Sequence, residues 1–148
     1  MPATRYAGPW LADWPWEMVE KLNEALCAQG KAQFGRTSDG YTQAKSLWET
    51  ARSAGELEFA DVLELARKAH RAGGFLNYNG NTFAAIVRPM CDRLPVPAMQ
   101  RATIRQLAGH MVAGVLDYQT QSTFLAALST GSTLPSPSPS STRRPSSK

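Results

Sequence analysis

The sequence predicts an all-α protein: a compact bundle of about five to six helices with a disordered C-terminal tail. Two observations predict the bundle. Apolar residues recur at helical spacing, and β-branched alternation at period two is missing. A third predicts the tail, since Ser, Thr and Pro fill 13 of the 18 positions in 131–148. Such a segment buries too little surface to offset its ordering entropy. We therefore expect a helical domain at 1–130 and a disordered, Ser/Pro-rich basic tail at 131–148.

Three helices are expected in the first half of the domain. Asp13 is expected to cap the first, with Pro15 in its opening turn and Gly30 at its end. The second is expected over about 41–54 and the third over about 56–71. The expected inward positions are Met18, Val19, Leu22 and Leu26 on the first helix, Ala44, Leu47, Trp48 and Ala51 on the second, and Phe59, Val62, Leu63, Ala66 and Ala69 on the third.

A compact turn should separate the third helix from the fourth. Residues 73–81 are rich in Gly and Asn, which suit positive φ. Asn81 or Thr82 is expected to cap the fourth helix. Pro89 lies within this helix, so we expect a kink or an end near Arg88.

The fifth and sixth helices are expected over about 97–116 and 118–129. The fifth carries an apolar stripe that should be buried: Ile104, Leu107, Ala108, Met111 and Val115. Glycine costs helix stability and is usually tolerated where another backbone comes close. The pairs Ala108-Gly109 and Ala113-Gly114 therefore indicate a helix of the same chain or of a second copy against this face.

Length and composition exclude several classes of protein. The chain has 148 residues, enough for one domain, and no stretch is apolar for long enough to span a membrane. No secretory signal is recognised at the start. Cys27 and Cys91 are too few for a disulfide framework or a cysteine zinc site. We therefore expect a cytoplasmic protein.

Charge is distributed unevenly along the sequence. Residues 1–64 carry six basic and ten acidic groups, whereas residues 65–130 carry seven basic groups against two acidic ones. An acidic half followed by a basic half indicates either an anionic partner or attraction between the two halves in the fold.

No set of residues predicts catalysis, a cofactor or a metal. The two histidines are His70 and His110, and no nucleophile motif accompanies them. The turn at 73–82 resembles a phosphate cradle in outline only, since it lacks the P-loop pattern. We interpret it as a tight turn packed through Phe75 and Tyr78, with an anion or nucleic-acid contact as the alternative.

The basic residues fall into two sets. Arg67, Lys68 and Arg71 lie near the end of the third helix, where they complement its dipole and require no ligand. Arg101 and Arg105 share a face without a nearby acid on their own helix, which predicts either carboxylates from another helix or an external anion. The predicted contact residues for an anionic partner are Arg88, Arg93, Arg101 and Arg105.

Aromatic residues are concentrated before the first helix. Trp10, Trp14 and Trp16 follow Tyr6 within eleven residues. Such a segment can fold over its own core, anchor a protein interface or stack on unpaired bases. The predicted protein-contact residues are the three tryptophans.

These patterns predict a small non-enzymatic accessory or adaptor protein that binds other macromolecules through helix faces. Its basic second half suits nucleic acid or an acidic protein. The alternative is a purely protein-directed effector, chaperone or assembly subunit that uses this aromatic N-terminal segment as a binding arm. A homo-oligomer is compatible with either function. An enzyme is retained as a third class of function.

Overall fold

The computed structural model describes residues 6–131 and 134–135. Within these residues the fold is all-α with one short β pair, which confirms the predicted class. Most of the predicted tail lies outside the described residues. The elements in chain order are β1 (Ala7–Gly8), α1 (Trp16–Gln29), α2 (Gly40–Arg52), β2 (Leu57–Glu58), α3 (Phe59–Ala72), α4 (Asn79–Cys91), α5 (Ala98–Ala113) and α6 (Tyr118–Thr130).

Helix α3 is the centre of the bundle. It packs against α2, α4, α5 and α6, while α1 packs against α4 and α2. All five of its predicted inward positions, from Phe59 to Ala69, are fully buried. The helix is strongly amphipathic because these apolar residues recur at helical spacing.

Helix α1 begins at a later residue than predicted, and it buries a different set of side chains. It starts at Trp16, and Pro15 precedes it in an extended conformation, so Asp13 does not cap it. Met18 is 42% exposed rather than inward-facing. The buried face includes Asn23 and Cys27 instead, because a buried hydrogen-bond network supplies partners for the Asn23 amide.

The two short strands were not expected from the sequence. Ala7 pairs with Glu58 and Gly8 with Leu57 in antiparallel register. The Phe59 amide also donates to the Tyr6 carbonyl at 3.1 Å. Helix α3 consequently begins at Phe59 rather than near 56, since the preceding residues bind the N-terminal segment.

Helix α4 starts earlier than predicted and does not end near Arg88. Tyr78, not Asn81 or Thr82, precedes its first residue, with φ of 63°. The helix continues through Pro89 to Cys91. Proline lacks the amide that would bond the carbonyl four residues earlier, and the helix continues for only two residues beyond it.

Helix α5 ends before the last residue of its predicted stripe. Leu107 and Met111 are fully buried as predicted, but Val115 is 56% exposed. The reason is Gly114, which terminates the helix in the left-handed conformation with φ of 80°. The small pair Ala108-Gly109 is buried within this chain. The Arg88 guanidinium packs against Gly109, where a Cβ atom would lie only 2.8 Å from Arg88 Nη2.

Candidate functional site

The three predicted protein-contact tryptophans occupy two different environments. Trp16 is 2% exposed and stacks on Phe75 with ring centroids 5.6 Å apart. Its Nε1 donates to the Tyr41 hydroxyl at 3.0 Å. Trp16 is therefore a core residue in this fold, whereas Trp10 and Trp14 are half-buried and retain accessible surface.

The segment Tyr6–Pro15, here called the arm, is folded over the core of its own chain. Leu11 anchors it and is only 1% exposed. Carbonyl groups of the arm accept hydrogen bonds from α2, since Trp48 Nε1 donates to the Trp14 carbonyl at 2.8 Å and Arg52 Nε donates to the Leu11 carbonyl at 3.1 Å. Together with the β pair, these bonds fix the arm rather than leaving it as a loose extension.

Trp10 is the residue around which the site is organised. Its Nε1 donates to the Tyr6 carbonyl at 2.7 Å, and its ring lies 5.0 Å from that of Phe59. The Arg93 guanidinium carbon lies 5.1 Å from the centroid of the Trp10 ring. This cation–π contact brings together one residue predicted to contact a protein and one predicted to contact an anion.

Two adjoining hollows flank Trp10, and we call them together the arm cleft. The larger has a volume of about 420 Å³ and lies between the arm and the loop that contains Arg93 and Pro95. The smaller, of about 120 Å³, lies between the arm and α4. Trp10, Asp13 and Arg93 line both. Tyr6, Ala7, Gly8, Pro9, Ala12 and Pro95 complete the larger hollow; Trp14, Ile86, Pro89 and Met90 complete the smaller.

The other three arginines of the predicted anionic contact lie elsewhere on α4 and α5. Arg105 Nη1 donates to the Asp92 carboxylate at 3.0 Å and to the Arg88 carbonyl at 2.9 Å. Arg101 Nη1 donates to the Val96 carbonyl at 2.7 Å. A carboxylate of the same chain, Asp92 at the end of α4, therefore compensates the charge of Arg105.

The two cysteines are both buried and unpaired. The Cys91 Sγ donates to the Val87 carbonyl at 3.5 Å. Burial is the main cause that raises the pKa of Cys91 to about 12, and the nearby Arg105 opposes this increase. A thiol with so high a pKa stays protonated near neutral pH, so Cys91 is not an activated nucleophile.

The histidines lie near the ends of α3 and α5. His70 Nδ1 donates to the Val112 carbonyl at 2.7 Å, which ties α3 to α5. No three His, Cys, Asp or Glu side chains lie together as a metal site would require in the part of the chain that the structure describes. Over the same residues, no helix has both the length and the apolar character needed to cross a membrane.

No known protein family, curated protein or solved structure matches this chain. Its function is therefore inferred from the site itself.

The sequence identified Trp10, Trp14 and Arg93 separately, but it missed their common location. It also missed Asp13, Pro95 and the other cleft-lining residues, since no helical spacing connects them. The only signal in the sequence was the density of aromatic and proline residues between positions 6 and 16.

Proposed function

We propose that this chain is a non-enzymatic accessory protein that binds a partner protein at the arm cleft. The bound segment is extended, contains proline and carries an acidic side chain. The observation that carries the proposal is the convergence of Trp10, Trp14 and Arg93 on two adjoining hollows. This is the protein-directed function that the aromatic arm predicted. To it the proposal adds a preference for a partner with an acidic side chain, which Arg93 would bind.

The residue types at the cleft are those that dominate binding energy at protein interfaces. Trp and Arg are enriched among such hot spots. The larger hollow has a volume of about 420 Å³, within the usual range of about 300–1,000 Å³ for binding pockets. Because the β pair, Leu11 and Arg52 hold the arm, the tryptophan surfaces are ordered before a partner arrives, which reduces the entropic cost of binding.

The lining favours an extended proline-containing segment. Aromatic-lined grooves bind polyproline II segments well because these segments are already ordered and project proline rings onto the aromatic faces. The larger hollow offers the rings of Tyr6 and Trp10 beside Pro9 and Pro95. A short, extended peptide could therefore contact both hollows through Trp10.

Arg93 gives the cleft its preference for an acidic side chain. It is exposed and forms no ion pair with a described carboxylate. Asp13 lies in both hollows and carries the opposite charge. An acidic side chain near Arg93 and away from Asp13 would orient the segment.

The proposal includes a cytoplasmic location. The support is that both cysteines are buried as free thiols. Proteins in reducing compartments commonly retain unpaired thiols.

The test selects binding peptides from a random displayed library. A dye-labelled synthetic copy of a selected peptide is then titrated with the protein to measure its affinity. We expect recovered sequences to share proline with an acidic residue. Trp10→Ala and Arg93→Gln should each weaken binding by at least about tenfold. Met99→Ala is the matched control, since it removes an apolar side chain that is 84% exposed and lies outside the cleft. Recovery of no common sequence, or equal binding by Trp10→Ala, would contradict the proposal.

Nucleic acid is the other partner that the basic second half suggested. The same variants should be titrated with single-stranded and duplex oligonucleotides at two salt concentrations. Phosphate-driven binding weakens steeply with salt. Tight, salt-sensitive binding of oligonucleotides that depends on Arg93 would favour nucleic acid over a protein segment at the arm cleft.

A further inference from the structure

A second cavity lies on α3, α5 and α6, and its chemistry differs from that of the arm cleft. Its volume is about 500 Å³. Arg67, His70 and Arg71 from the last turns of α3 form one wall, and Tyr118 and Gln121 from α6 form part of another. We call it the basic cavity, because none of the described residues that line it is acidic.

Arg67 has an unusual hydrogen-bonding state. Its Nη2 donates to the Glu64 carboxylate at 2.8 Å. Its Nε is buried and has no partner among the described residues. Because a buried donor without a partner is costly, native structures rarely keep one without a reason. A small turn of the guanidinium would let Nε and one Nη donate together to an oxyanion.

Arg71 and His70 complete the polar wall. Arg71 follows Arg67 by one helical turn and is exposed. His70 Nδ1 does not bind a ligand in the cavity, since that nitrogen donates to the Val112 carbonyl. Its role is to hold the end of α5 against α3. The Glu64 carboxylate accepts hydrogen bonds from two residues of the cavity wall, Arg67 and Gln121.

Tyr118 stands at the edge of the basic cavity with 84% of its surface exposed. A large aromatic side chain that packs so little offers a free ring face. Planar groups stack on such faces, and guanidinium pairs bind phosphate or carboxylate through parallel N–H donors.

We propose that the basic cavity binds a small organic anion, with its phosphate or carboxylate group on Arg67 and Arg71 and a planar group against Tyr118. This site is separate from the arm cleft and does not depend on the proposed protein-binding function. It also changes the interpretation of Arg67 and Arg71, which the sequence assigned to the helix dipole alone.

The test uses phenyl phosphate, benzoate and inorganic phosphate as probes, with sodium chloride at matched ionic strength. The readout is the Nε–Hε cross-peak of Arg67 in a ¹⁵N-correlated NMR spectrum, identified by its loss in Arg67→Lys. We expect phenyl phosphate or benzoate to shift this signal saturably, whereas chloride does not. If phosphate is the natural group, phenyl phosphate should bind more tightly than benzoate; if carboxylate is, the order should reverse.

Variants separate the contributions of charge and ring. Arg71→Gln should weaken binding at least tenfold, while Lys21→Gln, which removes an exposed charge from α1, should leave it unchanged. Tyr118→Ala should remove the advantage of about threefold to tenfold that we expect for phenyl phosphate over inorganic phosphate. Arg71 and Tyr118 are exposed, so these variants should fold even if Arg67→Lys does not. A shift that chloride reproduces, or no effect of Arg71→Gln, would overturn the proposal.

Discussion

Asn23 is the clearest case of a single polar residue that fixes the position of several elements. Its side chain is fully buried. The Nδ2 atom donates to the Asn77 carbonyl at 2.8 Å and to the Thr82 hydroxyl at 3.0 Å, and the Thr82 hydroxyl in turn donates to the Tyr78 carbonyl. The network joins α1 to the turn before α4 and to α4 itself.

Replacing Asn23 should be expensive because it leaves buried partners unsatisfied. Asn23→Ala should lower the free energy of unfolding by about 1–3 kcal/mol. Denaturant titration followed by circular dichroism measures the change. Met18→Ala, on the exposed side of α1, should cost much less, and equal losses for the two variants would show that the network adds no stability.

Cys91 should be chemically inert in the folded protein. Its pKa of about 12 leaves almost no thiolate at pH 8. We expect iodoacetamide to modify Cys91 only after denaturation, as mass spectrometry of timed samples would show. Rapid modification of the native protein at pH 8 would contradict this burial.

The same residue predicts how stability depends on pH. A free thiol in an unfolded chain ionises near pH 8.5, and the folded pKa of Cys91 is raised above that value. The stability contribution from this thiol is fully present below about pH 8.5 and is lost as pH rises towards about 12. Cys91→Ala should therefore show a smaller loss of stability across the alkaline range.

At the scale of elements, α5 provides a matched pair of positions. Met111 is fully buried, whereas Val115 is 56% exposed beyond the end of the helix. Met111→Asp should unfold the domain, because it combines a lost apolar side chain with a buried charge, and a domain has only about 5–15 kcal/mol of net stability. Val115→Asp should fold normally. Thermal melts of both variants test the assignment, and the opposite order would contradict it.

The sequence predicted helices well and their ends less well, for physical reasons. Periodicity reports which residues face the core over several turns, so all six helices that the structure describes were expected. Ends depend on single tertiary contacts. Gly114 stops α5 before Val115, and the pairing of Leu57 with Gly8 delays α3. Two-residue strands are too short to give a periodic signal.

The candidate site could be predicted only in pieces. Trp10 and Trp14 were identified by their density in the arm, and Arg93 by its charge. Their convergence depends on how the arm crosses the bundle, which local spacing does not encode. Arg67 and Arg71 were assigned to the helix dipole because their neighbours from α5 and α6 are distant in sequence.

At the scale of the whole molecule, the C-terminal segment tests where the folded domain ends. Helix α6 ends at Thr130, but Leu134 is partly buried against the core. A chain that ends at Pro135 should melt at the same temperature as the full chain. A chain that ends at Thr130 should melt a few degrees lower, since partial burial of one leucine contributes roughly 1 kcal/mol. Equal melting of the two truncated chains would show that Leu134 adds nothing.

The indole N–H signals of the four tryptophans test the central claim most directly. Trp10 and Trp14 line the arm cleft, whereas Trp16 and Trp48 are buried in the core. In a ¹⁵N-correlated spectrum, adding the selected proline-containing acidic peptide should shift the signals of Trp10 and Trp14 and leave that of Trp16 unchanged, since the Trp16 indole donates to Tyr41 inside the core. Binding that leaves the signals of Trp10 and Trp14 unmoved would contradict the claim that the arm cleft holds the partner.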